Sequence, residues 1–201
     1  MTTRHIISIK DFDRDSIDRL LDHAEQIDRE RGRSNALNGK ILAALFFEPS
    51  TRTRMSFESA IARLGGTSLS VGSVDACSMA KGETLADTIR VVSGYADAIV
   101  IRHPKEGAAR LAAEFSTVPV INAGDGAGQH PSQTLLDLYT IRQSMPIEGI
   151  DVALVGDLRY GRTAHSLASA LSLYNARLHT LSPNGLELPE TLATELGEKG
   201  M

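Results

Sequence analysis

The run Ile41-Leu42-Ala43-Ala44-Leu45-Phe46-Phe47, followed at once by Glu48-Pro49-Ser50-Thr51-Arg52-Thr53-Arg54, decides how this chain is read. An unbroken apolar run of this length is too short to span a membrane and suits a strand buried on both faces. Over 55–64 the period changes, and Phe57, Ala60, Ile61 and Leu64 recur at helical spacing. Two hydroxyl residues, an arginine and a third hydroxyl therefore sit where a strand gives way to a helix. Free backbone N–H groups and the helix dipole favour an anion at such a junction. A guanidinium adds a two-pronged contact to phosphate or carboxylate. Serine and threonine also cap helices, and most arginines are simply solvated. With Ser50, Thr51, Arg52 and Thr53 in one turn, the anion site, with phosphate as its occupant, outweighs capping.

Outward from this point, strand-like runs at 41–47, 68–71, 98–101 and 118–121 alternate with helix-like stretches at 54–64, 84–93, 106–115 and 132–143. An amphipathic helix over 13–27 and a polar turn region over 30–40 precede them. The alternation is that of a parallel sheet with crossover helices. Pro146 and Gly149 mark a boundary, after which a second unit opens with a strand at 151–155, a helix at 162–174, a strand at 177–181 and a last helix over 190–199. The expected fold class is α/β, with two doubly wound parallel-sheet domains at 1–145 and 146–201, the first complete and the second only partly present. Two strands and one crossover cannot bury both faces of a parallel sheet. The sequence therefore reads as part of a longer two-domain protein.

Composition narrows the function classes. The 201 residues are 42% apolar and 23% charged, an ordinary globular balance. A net charge of −4 argues against nucleic acid as the main partner, so anion binding must come from local arginines. One cysteine, Cys77, excludes an internal disulfide and a cysteine-cluster metal site. No signal-peptide core or membrane-length run is evident, and the expected location is the cytoplasm.

Other polar residues fall at the same edge of the expected sheet. Arg102 follows the run 99–101, and Gln129, His130 and Gln133 follow 118–121. Carboxyl ends of parallel strands are where open α/β sheets bind ligands. Pro131 suits the first helical position and puts His130 near a helix cap, where the imidazolium is disfavoured. A neutral histidine can still donate one hydrogen bond to a carbonyl oxygen that gains charge. The connection 72–82, with Ser78 and Lys81, reads as a surface loop. Two glycine-bearing strings need separate weighing. Gly124-Asp125-Gly126-Ala127-Gly128 has the wrong spacing for a dinucleotide fingerprint and is expected to let the backbone bend close to a ligand. Gly156 to Thr163 nearly fits a P-loop, but Arg162 stands where lysine is required and Tyr160 is bulky for such a loop.

Taken together, these strings resemble the aspartate and ornithine carbamoyltransferase family, and within it the aspartate carbamoyltransferase catalytic chains. The resemblance covers essentially the whole chain. It is carried by 46–54, by Lys81-Gly82-Glu83-Thr84-Leu85-Ala86-Asp87-Thr88, by Arg102-His103-Pro104, by Asn122-Ala123-Gly124-Asp125-Gly126, by 129–137 and by 155–163. It implies a carbamoyl-phosphate domain joined to an aspartate domain. It also implies transfer of the carbamoyl group from carbamoyl phosphate to L-aspartate, the committed step of pyrimidine synthesis, without metal or organic cofactor. By the same resemblance Ser50, Thr51, Arg52 and Thr53 hold the phosphate; Arg102, His130 and Thr53 polarise the carbamoyl carbonyl; Gln133 holds the carbamoyl amide; and Arg162 binds a carboxylate of aspartate. Ser78 and Lys81 belong to a loop that enters a neighbouring subunit's site, which implies a homotrimer with shared active sites. Residues 103–111 resemble relatives that associate with zinc-bearing regulatory chains, which implies such a partner. The family chain continues into a region that supplies a second arginine and a glutamine for aspartate, and its spacing from serine to lysine varies at Ser78. Two alternatives stay open: an ornithine carbamoyltransferase, which shares the Ser-Thr-Arg-Thr string, and a module that binds carbamoyl phosphate without turnover. Arg162 and the 157–163 string favour a dicarboxylate acceptor.

Overall fold

A computed structural model of the protein describes residues 5–29, 34–72, 78–198 and 200, without the side chains of 78 and 79. The described residues form two compact units, Met1–Ile7 with Glu25–Gly128, and Ser8–Ala24 with Gln129–Met201. The first helix, α1 (Arg14–Arg29), buries Ile17 and Leu21 along one stripe, as the apolar spacing requires.

The first unit contains β1 (Ile41–Phe46), α2 (Thr51–Arg63), β2 (Thr67–Val71), α3 (Leu85–Ser93), β3 (Ala98–His103), α4 (Ala108–Phe115) and β4 (Val120–Asp125). Its sheet is parallel throughout, in the order β2-β1-β3-β4. Ile6 extends it beyond β4, donating to the Val120 carbonyl at 2.8 Å and accepting from the Asn122 N–H at 2.8 Å. The apolar run 41–47 is unbroken because both faces are covered. Ala43, Leu45 and Phe47 pack with Ile89, Ala109 and Ala112 from α3 and α4. Leu42, Ala44 and Phe46 pack with Ile61 from α2. Each large aliphatic buried this way contributes roughly 1.5–3 kcal/mol.

The strand order creates the feature that matters for ligands. From β1 the chain crosses through α2 to β2 on one side, then returns through α3 to β3 on the other. The carboxyl ends of β1 and β3 thus flank a topological switch point, the place where such sheets open a crevice.

Several boundaries differ from the sequence reading, each for a local reason. Helix α2 starts at Thr51 rather than 54, so the Ser-Thr-Arg-Thr string is its cap and first turn. Strand β3 runs on to His103, which places Arg102 inside the strand opposite Phe46. Strand β4 runs to Asp125 although its end is polar. Asn122 satisfies that end by donating from Nδ2 to the Ile7 carbonyl (2.9 Å) and to Asp125 (3.0 Å), and by accepting the Gly124 N–H (2.8 Å). Helix α4 begins only at Ala108 because Gly107 takes a left-handed cap, φ 81°, with its N–H held by Asp125 Oδ2 at 2.9 Å.

The second unit contains α5 (Pro131–Ser144), β5 (Asp151–Val155), α6 (Arg162–Leu171), β6 (Arg177–Leu181) and α7 (Glu190–Glu198). Strands β5 and β6 are parallel, with Asp151 opposite Arg177. Helix α6 packs against α5, α7 and a 3₁₀ turn at Ile9–Asp11, and buries Ser166, Ala168, Ser169, Ala170 and Leu171. It stops at Leu171 rather than 174, and a 3₁₀ turn and a left-handed Asn175 (φ 51°) lead into β6. Tyr174, 2% exposed, donates to Asp18 at 2.8 Å. Val155 and Leu181 remain exposed on the small sheet. Among the described residues, no helix is long and apolar enough to cross a membrane.

Candidate functional site

In the first unit the switch point presents the start of α2. Ser50 is its N-cap, but the hydroxyl makes no capping bond. The first N–H to find a helical acceptor is that of Arg54, which donates to the Ser50 carbonyl at 3.3 Å. The N–H groups of Thr51, Arg52 and Thr53 precede it and lie at the positive end of the helix. Arg52 is exposed and Thr53 half-buried. An N-cap hydroxyl without a capping bond, three N–H groups and a guanidinium at one helix start can together hold an anion.

Arg102 reaches the same edge from β3. Its Nη2 pairs with Glu48 Oε1 at 3.0 Å, and Nη1 donates to the Ala123 carbonyl at 3.4 Å. Its Nε is buried with no hydrogen-bond partner among the described residues. A buried guanidinium nitrogen left unmatched is costly, so this side chain can still gain from an acceptor. Its neighbour His103 serves the fold instead. It is buried, stands edge-on to Phe47 at 5.7 Å between ring centroids, and accepts the Lys105 N–H through Nδ1 at 3.0 Å. Burial pushes its imidazole below the usual histidine value.

His130 is the N-cap of α5 in the second unit, with Pro131 at the first helical position. Its Nδ1 accepts the Gln133 N–H at 3.4 Å, and Ser132 Oγ lies 3.3 Å away. An accepting Nδ1 puts the proton of the neutral ring on Nε2, so the ring can donate from Nε2. The backbone of His130 is held as well: its N–H donates to Ser166 Oγ at 3.2 Å, and Ser166 Oγ donates to Gln129 Oε1 at 3.2 Å. Ser8 Oγ donates to the same Gln129 oxygen at 3.3 Å. Ser166 is fully buried on α6, one turn beyond Arg162, which opens that helix. Ser166 escaped the sequence reading, because a lone serine in an apolar helix stripe carries no signal of what it touches. Gln133 donates from Nε2 to Asp137 Oδ1 at 2.9 Å.

Lys81 ends a 3₁₀ turn, Ser78–Lys81, that packs beside α3, and its side chain is exposed. No hydrogen bond or ion pair among the described residues joins it to Arg52, Thr53 or Arg102. The Ser78 side chain and residues 73–77 of the connection 72–82 lie outside what the structure describes.

Both glycine-bearing strings resolve into packing. A Cβ on Gly126 would sit 2.7 Å from the Glu106 nitrogen, and one on Gly128 2.9 Å from Glu106 Cγ. The turn after β4 thus bends close to the chain's own 104–107 segment. In 156–161 the Asp157 carboxylate accepts the N–H groups of Arg159 and Tyr160, both at 3.0 Å. Those donors would be needed by a phosphate, so this turn is no P-loop.

Comparison with known proteins gives the family. Residues 4–143 match the family model described as aspartate/ornithine carbamoyltransferase, carbamoyl-P binding domain. The chain is 73% identical over 197 residues to the aspartate carbamoyltransferase catalytic subunit of Methanoculleus marisnigri, covering 98% of this chain and 66% of that one. It superposes on the catalytic subunit of M. jannaschii aspartate transcarbamoylase with a TM-score of 0.92 and 53% identity, covering 98% of this chain and 66% of that one. Aspartate transcarbamoylase from Trypanosoma cruzi, solved in complex with carbamoyl aspartate and phosphate, gives a TM-score of 0.91 and 40% identity over the same shares. The chain thus spans about 66% of the length of the curated relatives it matches. Its match to the family model over most of its length, with the Ser50-Thr51-Arg52-Thr53 string at the head of α2 inside that match, places the chain in the aspartate/ornithine carbamoyltransferase family.

Proposed function

We propose that this protein transfers the carbamoyl group of carbamoyl phosphate to the amine of L-aspartate, giving N-carbamoyl-L-aspartate and phosphate. The observation that carries the reading is the uncapped start of α2, with Ser50, Thr51, Arg52 and Thr53 in one turn at the β1–β3 switch point and Arg102 arriving from β3. In this reading that turn holds the phosphate. Arg102, Thr53 and Nε2–H of His130 donate to the carbamoyl oxygen as it gains charge, Gln133 meets the carbamoyl amide, and Arg162 takes a carboxylate of aspartate. The amine lone pair forms the new C–N bond, the C–O bond to phosphate breaks with its electrons going to phosphate, and the amine proton passes to the departing phosphate. Positioning and oxyanion stabilisation do the catalytic work, and the proposal calls for no metal or organic cofactor. The domain division we assign is 1–145 for carbamoyl phosphate and 146–201 for the start of the aspartate domain, supported by the family match ending at 143.

Incubation with carbamoyl phosphate and either aspartate or ornithine tests this directly. Carbamoyl-aspartate is the expected product. Citrulline alone would replace this reading with the ornithine enzyme, and phosphate binding without turnover would favour a binding module.

The exposed Lys81, unlinked to Arg52 or Arg102 among the described residues, supports a homotrimer in which it completes a neighbour's site. Mixing Arg52→Ala with Lys81→Ala chains should then restore activity that neither has alone. Arg110 and Leu111, exposed on α4, support a zinc-bearing regulatory chain as a further partner, which co-purification would test. We place the protein in the cytoplasm, which its composition supports.

A further inference from the structure

We propose that Asp137 is a positioning residue that fixes which end of the Gln133 amide faces the substrate, and so makes the site select a carbamoyl group over an acyl group of the same shape. The inference rests on the carbamoyl-transfer reading and assigns a role to a residue to which that reading gives none.

An amide side chain is ambiguous, because its oxygen accepts and its nitrogen donates, and the two ends are nearly the same size. A carboxylate removes the ambiguity, since it can only accept. Gln133 Nε2 lies 2.9 Å from Asp137 Oδ1, one helical turn along α5. The amide nitrogen is therefore committed to Asp137, and Oε1 is the end left to meet a ligand.

That choice matches the chemistry of the transferred group. A carbamoyl group carries a carbonyl oxygen, which wants donors, and an NH₂, which wants an acceptor. Arginine, threonine and the Nε2–H of histidine supply donors to the first. Gln133 Oε1 supplies the acceptor, provided the amide is not flipped. Acetyl phosphate has the same carbonyl and phosphate but a methyl in place of NH₂, so it gains nothing from the acceptor. Asp137 is half-buried, and its burial already costs something: desolvation raises its pKa above the ordinary carboxylate value, with the bond from Gln133 acting against it. A Gln–Asp pair one turn apart also supports a helix modestly. That role would not distinguish two ligands that differ only at NH₂.

The experiment measures binding of carbamoyl phosphate, acetyl phosphate and inorganic phosphate by calorimetry to the purified protein, Asp137→Asn, Gln133→Met and the double variant. The asparagine side chain is isosteric with aspartate but can present either end, so the lock is lost while the shape is kept. The expected result is that Asp137→Asn loses about tenfold in affinity for carbamoyl phosphate, the worth of one hydrogen bond. Acetyl phosphate and inorganic phosphate should bind as before. In the Gln133→Met background, Asp137→Asn should change nothing further, since the pair acts as one unit. An Asp137→Asn protein that keeps the unmodified preference for carbamoyl over acetyl phosphate would overturn the proposal. So would equal losses for all three ligands, which would mark Asp137 as structural. An unmodified protein that binds acetyl and carbamoyl phosphate equally would instead remove the carbamoyl-transfer reading itself.

Discussion

Arg102 and Glu48 form an ion pair across the carboxyl ends of β3 and β1, Nη2 to Oε1 at 3.0 Å, with the arginine side chain 13% exposed. The carboxylate supplies the negative charge that a phosphate or carbamoyl oxygen would otherwise bring. In the proposed reading the pair and the ligand compete for one guanidinium. Glu48→Gln should destabilise the ligand-free protein by about 1–2 kcal/mol, less than for a fully buried pair because Glu48 keeps some contact with water. Saturating phosphate should shrink that deficit, because the anion binds the folded state and restores the missing charge. Thermal unfolding of both proteins with and without phosphate checks this. A deficit that phosphate leaves unchanged would put Arg102 outside the anion site.

Arg52 is exposed at the first turn of α2 and makes no hydrogen bond or ion pair among the described residues. Arg52→Ala should leave stability within about 0.5 kcal/mol, as expected of a surface change away from any network. Phosphate binding should nevertheless drop below detection, since the cap turn loses the guanidinium that we assign to the anion. Calorimetric titration beside a denaturation curve separates the two effects. Normal binding by the variant would leave the backbone N–H groups as the whole of the site.

His130 carries two duties that substitution can separate. Its Nδ1 caps α5 through the Gln133 N–H, and its Nε2 is the donor we assign to the substrate. His130→Ala should lose about 1 kcal/mol of stability with the cap, and about a hundredfold in kcat with the oxyanion donor. His130→Asn restores a good cap and should recover the stability but not the turnover. Steady-state kinetics on both variants, read against their unfolding midpoints, tests the split. Losses in KM equal to those in kcat would argue for ground-state binding instead.

How much of this was legible in the chain depends on how local the cause was. The run 41–47 announced a doubly covered strand because both periodicity and length were in one place, and His130-Pro131 announced a cap for the same reason. The extent of β4 was not legible. Asn122, Gly124 and Asp125 look like a loop, and only the distant Ile7 carbonyl and the Gly107 N–H show that their polarity is satisfied inside a strand. Gly126 and Gly128 gave the right physical signal, a close backbone approach, but no clue that the approaching partner was residues 104–107. The partners of Arg102, Ser166 and Asp137 differ in the same way. The i,i+4 pair could be found by spacing along α5, whereas the other two are set by strand order and by the meeting of α6 with α5.

The small sheet makes its own prediction. Asp151 in β5 accepts from Arg177 in β6 with both oxygens, at 2.8 and 2.6 Å, and His179 Nε2 lies 3.2 Å from Oδ1. The hydrogen bonds from Arg177, and then from His179, lower its pKa to about 2. A folded value below the ordinary 3.8 means that the stabilisation is present above about 3.8 and is lost as the pH falls toward about 2. All these groups are exposed, so salt should weaken the effect. Arg177→Met should bring the Asp151 titration back up toward its ordinary value and flatten the acid side of the stability curve in that interval. Carboxyl-carbon NMR titration of both proteins measures it. An Asp151 that titrates at its ordinary value in the unmodified protein would show that the bidentate pair across β5 and β6 does not persist in solution.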